Sequence, residues 1–301
     1  MTKGLQQAGI RTEGIRYTDG MAEPTAPAEQ ISRIFLTLEA AMGRQHWWPA
    51  VSAFEVVAGA YLTQNTAWTN VERAMENLRG AGALSVSGIR ELPIEELERL
   101  VRPAGYFRQK AERLKLFVAH LDARYAGSLD ALFAVPTETL REELLRLPGI
   151  GPETADSILL YAANREVFVV DTYTRRIFGR HGLTKEDTGY EEIRLTVQSA
   201  LADGACSAAA KRSARERQDE PLSPEFALTP EFALPPKFAI HAPSTASQMD
   251  RSELSRRYNE FHALIVQTAK HFCLKGMPKC ESCPLRAIPS EVRTGMAAAD
   301  E

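Results

Sequence analysis

Four short stretches of this sequence carry residue types that can do chemistry. In Val169-Val170-Asp171-Thr172 a carboxylate follows an apolar run. An anion there can stabilise developing positive charge or orient water, and it can also cap a following helix. Leu147-Pro148-Gly149-Ile150-Gly151-Pro152-Glu153-Thr154-Ala155 reads as a tight turn between two helices. Pro148 ends the first helix, and both glycines are expected to permit positive φ and to clear side chains from the turn. Pro152 and Glu153 suit the first turn of the second helix. Outward-facing N–H groups in such a turn let a phosphate oxygen approach. Cys273, Cys280 and Cys283 are crowded in a way that indicates metal ligation in a reducing compartment rather than a disulfide framework. Trp47-Trp48-Pro49 offers aromatic faces.

These stretches need a scaffold, and the pattern around them is helical. Ile31, Ile34, Phe35, Leu38 and Ala41 fall on one helical face. Amphipathic segments follow at 53–63, 69–81, 86–92, 94–101, 108–125, 128–134, 137–146 and 152–163, separated by Gly and Pro signals. The β-branched run 167–170 lacks a partner strand and reads as a buried connection. The expected fold class is all-α.

The net charge of −3 restricts any nucleic-acid footprint to local patches. Two are visible: Arg102, Arg108, Lys110, Arg113 and Lys115 against Glu112, and seven Lys/Arg within 251–286 against Glu253, Glu260 and Glu281. Residues 1–30 lack the apolar core of a signal peptide, and no stretch is long enough to span a bilayer, so a cytoplasmic location is expected. Residues 203–250 repeat a six-residue unit around Pro224, Pro230 and Pro236 and read as a disordered, low-complexity insertion. Among the histidines, His46 is placed to line a pocket, while His120, His181, His241 and His262 read as structural or surface residues.

The spacing of the glycine hairpin from Val170-Asp171-Thr172 resembles that of the helix-hairpin-helix-Gly/Pro-Asp superfamily. Leu62-Thr63-Gln64-Asn65-Thr66 is similar to the family's loop that reaches into the DNA stack, and Gly105-Tyr106-Phe107-Arg108-Gln109-Lys110-Ala111 to its characteristic helix start. The cysteines resemble the iron–sulfur loop of the endonuclease III branch. The resemblance covers most of 31–202 and 251–289. It implies two helical domains of the endonuclease III type with a DNA-binding cleft between them. One would comprise 29–50, 166–202 and 251–289, including the cysteine loop; the other would be 51–165, with 1–28 and 290–301 as tails. It further implies that Asp171 is catalytic, that Gln64, Leu147, Gly149, Gly151 and Thr154 contact duplex DNA, and that Gln64 fills the gap left by a flipped base.

Two departures narrow the expectation. Bifunctional members carry L-P-G-x-G-x-K-T-A, whose lysine forms a Schiff base at C1′, whereas this chain has Glu153 at that position. With Trp47-Trp48-Pro49 and Gly149-Ile150-Gly151-Pro152-Glu153-Thr154-Ala155-Asp156, the chain looks like the endonuclease III-like 3-methyladenine glycosylases. Trp47, Trp48 and Glu153 would then form the base pocket, with Phe54 a further aromatic candidate and a cation–π term for an alkylated purine. The second departure is Pro289, which stands where the fourth cysteine of a 4Fe-4S loop is expected; Cys206 and His271 are alternative ligands, and loss of the cluster stays open. The expected function is a monomeric, monofunctional glycosylase for damaged bases in double-stranded DNA. The alternatives are a glycosylase/AP lyase for oxidised pyrimidines using another lysine, and a catalytically silent DNA-binding protein.

Overall fold

The computed structural model describes residues 27–202 and 244–290, and among these every regular element is a helix. Helix α1 (Pro27–Met42) buries Ile31, Ile34, Phe35 and Leu38 at the expected three- and four-residue spacing. Helix α2 (Ala53–Leu62) is buried on all sides from Phe54 to Leu62, which makes it a central element. Ser52 starts it by accepting from the Glu55 amide. There follow α3 (Trp68–Gly80), α4 (Val86–Glu91), α5 (Ile94–Val101), α6 (Phe107–Tyr125), α7 (Leu129–Phe133) and α8 (Thr137–Leu145). Past the hairpin come α9 (Pro152–Ser157), α10 (Thr172–Arg180), α11 (Tyr190–Leu201) and α12 (Glu253–His271).

Helix α9 runs on into a π-turn at Ile158–Ala162, where the Ala163 amide donates to the Ile158 carbonyl at 3.0 Å. That five-residue repeat inserts an extra residue into the helix and re-aims the side chains beside it. The connection 167–170 is buried without being a strand, as the sequence suggested.

Helix α1 packs against α11 and α12, and α12 also covers α10. Helices α3 to α7 pack around α5 and α6, while α2 reaches α3, α6, α9 and the π-turn. The π-turn in turn touches α12, which brings the hairpin end of one group of helices against the long helix of the other.

Two expectations change here. Basic patches read from sequence are in part internal struts. Lys110, 1% exposed, donates to the carbonyls of Leu62, Gln64 and Ala104 at 2.8–2.9 Å. Arg251, also buried, donates to the Leu160 and Ala246 carbonyls. A buried cation needs such acceptors to offset its lost hydration. Burial first, and Arg113 second, push the Lys110 ammonium down to about 8. Lys110 thereby ties the 62–64 loop to the start of α6.

The expected insertion, 203–250, extends too far at its end. Residues 203–243 lie outside the described residues, but 244–250 pack onto the protein. Ser244 donates to the Trp48 carbonyl at 2.8 Å, and the Ala246 amide to the Ala50 carbonyl at 3.0 Å. Local Ser244–Ser247 bonds shape the short turn that Arg251 holds down. No described helix is long and apolar enough to cross a membrane.

Candidate active site

Asp171 begins α10 in extended geometry (φ −114°, ψ −175°) and forms a reciprocal capping box with Thr174. Its Oδ1 accepts from the Thr174 amide at 2.7 Å and from the Thr174 hydroxyl at 3.0 Å. Oδ2 takes no part in the cap and stands 3.4 Å from Nε2 of His262 on α12. Burial alone would raise the Asp171 pKa, but His262 and the Thr174 donors outweigh it and hold the carboxyl below the usual aspartate range. One oxygen of Asp171 therefore caps the helix while the other is left to face His262.

Asp171 opens onto a cavity of about 520 Å³, within the size range of small-molecule sites. Its wall includes Gln64, Gly149, Gly151, Glu153 and Thr154 from the 63–67 loop and the hairpin, and Trp47, Trp48 and Trp68 from the aromatic side. His262, Val266 and Lys270 come from α12. A second cavity of about 410 Å³, bordered by α1, α10 and α11, contains no residue singled out by the motifs.

Glu153, on the first turn of α9, faces the same space. Desolvation of its carboxyl first, and the Asp171 charge second, push it up to about 7. Two neighbouring carboxyls are thus driven apart, Asp171 toward the anion and Glu153 toward the neutral acid. That division supplies an electrostatic stabiliser and a hydrogen-bond donor in one pocket.

The hairpin departs from expectation at one glycine. Gly149 has φ +79°, which favours glycine, and a Cβ there would lie 2.2 Å from Nε of Arg113 and displace that side chain. Gly151, by contrast, caps α9 at φ −97°, and a Cβ on it meets nothing. Its backbone is available to any residue, so the expected positive φ holds for Gly149 alone.

Gln64 is tied into the protein at both ends of its amide. Its Nε2 donates to the Gly149 carbonyl at 2.8 Å and to Thr154 Oγ1 at 3.1 Å, while Oε1 accepts from Arg113 at 3.1 Å. Filling a gap in the DNA stack would require breaking these bonds. Thr154 is itself buried under Gln64, and Leu147 is half-buried against the core outside the cavity.

Trp47 and Trp48 are 7% and 6% exposed, so the cavity sees little of either ring. With Trp68 they form a cluster of rings 5.2–5.8 Å apart, and Trp48 also packs on Tyr161 at 5.2 Å. They are core tryptophans and pocket wall together. Phe54 and His46 do not line the cavity.

Sequence reasoning missed Trp68, His262 and Lys270. His262, Val266 and Lys270 follow one another at four-residue intervals on α12, a stripe whose meaning emerges only when α12 lies against Asp171. Desolvation lowers the Lys270 ammonium, with partial compensation from Glu72 and Asp171.

The cysteine loop supplies three of the four thiolates of a 4Fe-4S cluster, Cys273, Cys280 and Cys283, with Pro289 at the fourth position. Among the described residues no group of three or more His, Cys, Asp or Glu side chains is placed to hold a metal ion. Burial pushes the Cys283 thiol up to about 11, and the carbonyl of Pro289, at the position of a fourth ligand, lies 2.7 Å from Nδ1 of His181. Cys206 lies outside the described residues. Arg180 instead organises the loop, donating to Cys273 Sγ at 3.2 Å and to the Leu274 carbonyl at 2.7 Å.

Residues 58–202 match the family model described as HhH-GPD superfamily base excision DNA repair protein. A Methanocaldococcus jannaschii protein named as a DNA repair glycosylase is 36% identical over 260 residues, spanning 86% of this chain and 94% of that protein. Among solved structures, Helicobacter pylori 3-methyladenine DNA glycosylase bound to 1,N6-ethenoadenine aligns with TM-score 0.57 and 26% identity, over 81% of this chain and 97% of that one. A trapped endonuclease III–DNA covalent intermediate aligns with TM-score 0.61 over 89% of this chain and 98% of its own; at 20% identity it shows a shared fold. The chain belongs to the HhH-GPD superfamily of base excision DNA repair proteins. Within that superfamily it is a DNA glycosylase of the endonuclease III-like type.

Proposed function

We propose that the chain is a monomeric, monofunctional glycosylase that removes alkylated purines from double-stranded DNA with water as the nucleophile. The observation that carries this reading is the Asp171–Glu153 pair at the hairpin cavity, with a carboxyl where a Schiff-base lysine would stand. Cleavage of the N-glycosidic bond leaves positive charge on the sugar, which an ionised Asp171 Oδ2 stabilises while water adds to C1′. A neutral Glu153 donates a hydrogen bond to a ring nitrogen of the extruded purine. The rings of Trp47, Trp48 and Trp68 give the base an aromatic wall, and a cationic alkylbase over the face of one of them gains a cation–π attraction. The adenine derivative bound by the H. pylori relative is consistent with a purine in this position.

The test is a set of duplexes carrying 3-methyladenine, thymine glycol, uracil or an abasic site, each assayed with and without alkali. Release of 3-methyladenine with strand breakage only after alkali is expected. Release of thymine glycol with spontaneous breakage overturns the proposal, and binding without release of any base favours a silent DNA-binding protein.

One observation favours a second reading, a glycosylase/AP lyase. Lys270 lines the cavity and its ammonium is lowered, which increases the fraction of free amine available to an abasic aldehyde. Borohydride trapping of a covalent adduct that Lys270→Ala abolishes would establish it.

A further inference from the structure

Among the described residues His262 is the one histidine lining the cavity, and both of its ring nitrogens have a defined neighbour. Tyr161, fully buried on the π-turn, brings its hydroxyl to 2.5 Å from Nδ1. Burial first and the Asp171 charge second raise the tyrosine well above its ordinary range, so the hydroxyl keeps its proton. The acceptor that the described residues offer this hydroxyl is Nδ1, which places the ring proton on Nε2. Nε2 is buried, makes no hydrogen bond, and lies 3.4 Å from the Asp171 oxygen left over from the helix cap.

We infer that His262, backed by Tyr161, is a positioning residue for Asp171: its Nε2–H is aimed at Oδ2 and keeps that oxygen turned to the cavity. The order of the relay follows from the geometry. Thr174 holds one carboxylate oxygen, His262 faces the other, and Tyr161 fixes the tautomer of His262. As the carboxylate approaches a developing sugar cation, the 3.4 Å gap can shorten into a hydrogen bond without any backbone movement. The inference rests on Asp171 being the working carboxylate of the proposed hydrolysis.

The charged and titratable groups facing this relay come from every element around it. Glu153 approaches from α9, Lys270 from the next turns of α12, and Arg175 from α10 toward Glu153. Arg251 and Glu260 lie on the far side, toward Tyr161. Removing His262 takes away the N–H that faces Oδ2 and helps hold Asp171 below the usual aspartate range, so the acid limb of a pH–rate profile should move to higher pH.

The experiment is single-turnover base release from a 3-methyladenine duplex as a function of pH, for the full chain and for His262→Ala, His262→Gln, Tyr161→Phe and Asp171→Asn. His262→Ala should lower the plateau rate about ten- to hundredfold and raise the acid limb by about one pH unit. His262→Gln, which keeps an N–H near the position of Nε2, should restore most of both. Tyr161→Phe should move the limb in the same direction by less. Circular dichroism identifies a misfolded His262→Ala, in which case His262→Gln and Tyr161→Phe decide between themselves. An acid limb that stays in place in folded His262 and Tyr161 variants overturns the relay, whatever the rate. If Asp171→Asn turns over at the full rate, the reading of Asp171 fails; if it is dead while the His262 profile is unmoved, the relay alone fails.

Discussion

The hairpin at Gly149 and the loop at Cys280 each keep most of a family motif and each replace one residue of it, Glu153 for lysine and Pro289 for cysteine. Their surroundings have responded in opposite ways. Around Glu153 the site is still assembled: Asp171, His262 and Lys270 face one cavity, and Gln64 is bonded across the turn. Around Pro289 a ligand shell is absent among the described residues, and Arg180 and Arg176 hold the loop by its carbonyls. At the first replacement a lined cavity persists, and at the second the loop is held by protein hydrogen bonds.

The largest effect expected from this comparison is on the pH profile of base release. If neutral Glu153 is the competent form, activity is full below its pKa of about 7 and is lost as pH rises through it. At about pH 9 the wild type should retain roughly a hundredth of its plateau rate, because each pH unit above the pKa removes a factor of ten. Glu153→Gln, which donates at every pH, should flatten this alkaline limb; an unchanged limb breaks the assignment. The next effect separates the two hairpin glycines by thermal unfolding. Gly149→Ala should destabilise by about 1–2 kcal/mol from left-handed backbone alone, with more from displacing Arg113, whereas Gly151→Ala should stay within about 0.5 kcal/mol. Equal losses at the two positions would refute the geometric distinction. Smallest is the expected change at the other motif: purified protein should contain iron well below one atom per chain, and Cys280→Ser should leave the unfolding free energy within about 0.5 kcal/mol of wild type. Stoichiometric iron that Cys280→Ser removes would reverse the contrast drawn here.

Much of the scaffold was legible because helices that cover a core repeat their apolar residues at three and four, as α1 does, and because Gly and Pro end them. The positions of Asp171 and Glu153 in one cavity also followed from motif spacing. What escaped depends on contacts between segments far apart in sequence. Lys110 looks like a phosphate contact in a basic run, and only the three carbonyls around it make it a strut. His262 looks like an ordinary helix histidine until Tyr161, 101 positions earlier, meets one ring nitrogen and Asp171 stands by the other. Gly151 was misread because a motif glycine suggests a special backbone, while φ there is ordinary.

The π-turn at Ile158–Ala162 has a consequence for counting. A helix with one residue inserted is out of phase with a regular one downstream by about 100°, the rotation of a single α-helical step. Tyr161 sits within that offset, so a homologue lacking the extra residue would present a different side chain at the same aligned column. Relatives should therefore be matched to this chain by which residue meets the histidine in space. Deleting a single residue from the turn is the corresponding register mutation, and it would carry the tyrosine to another face of the helix while leaving the composition of the segment almost untouched.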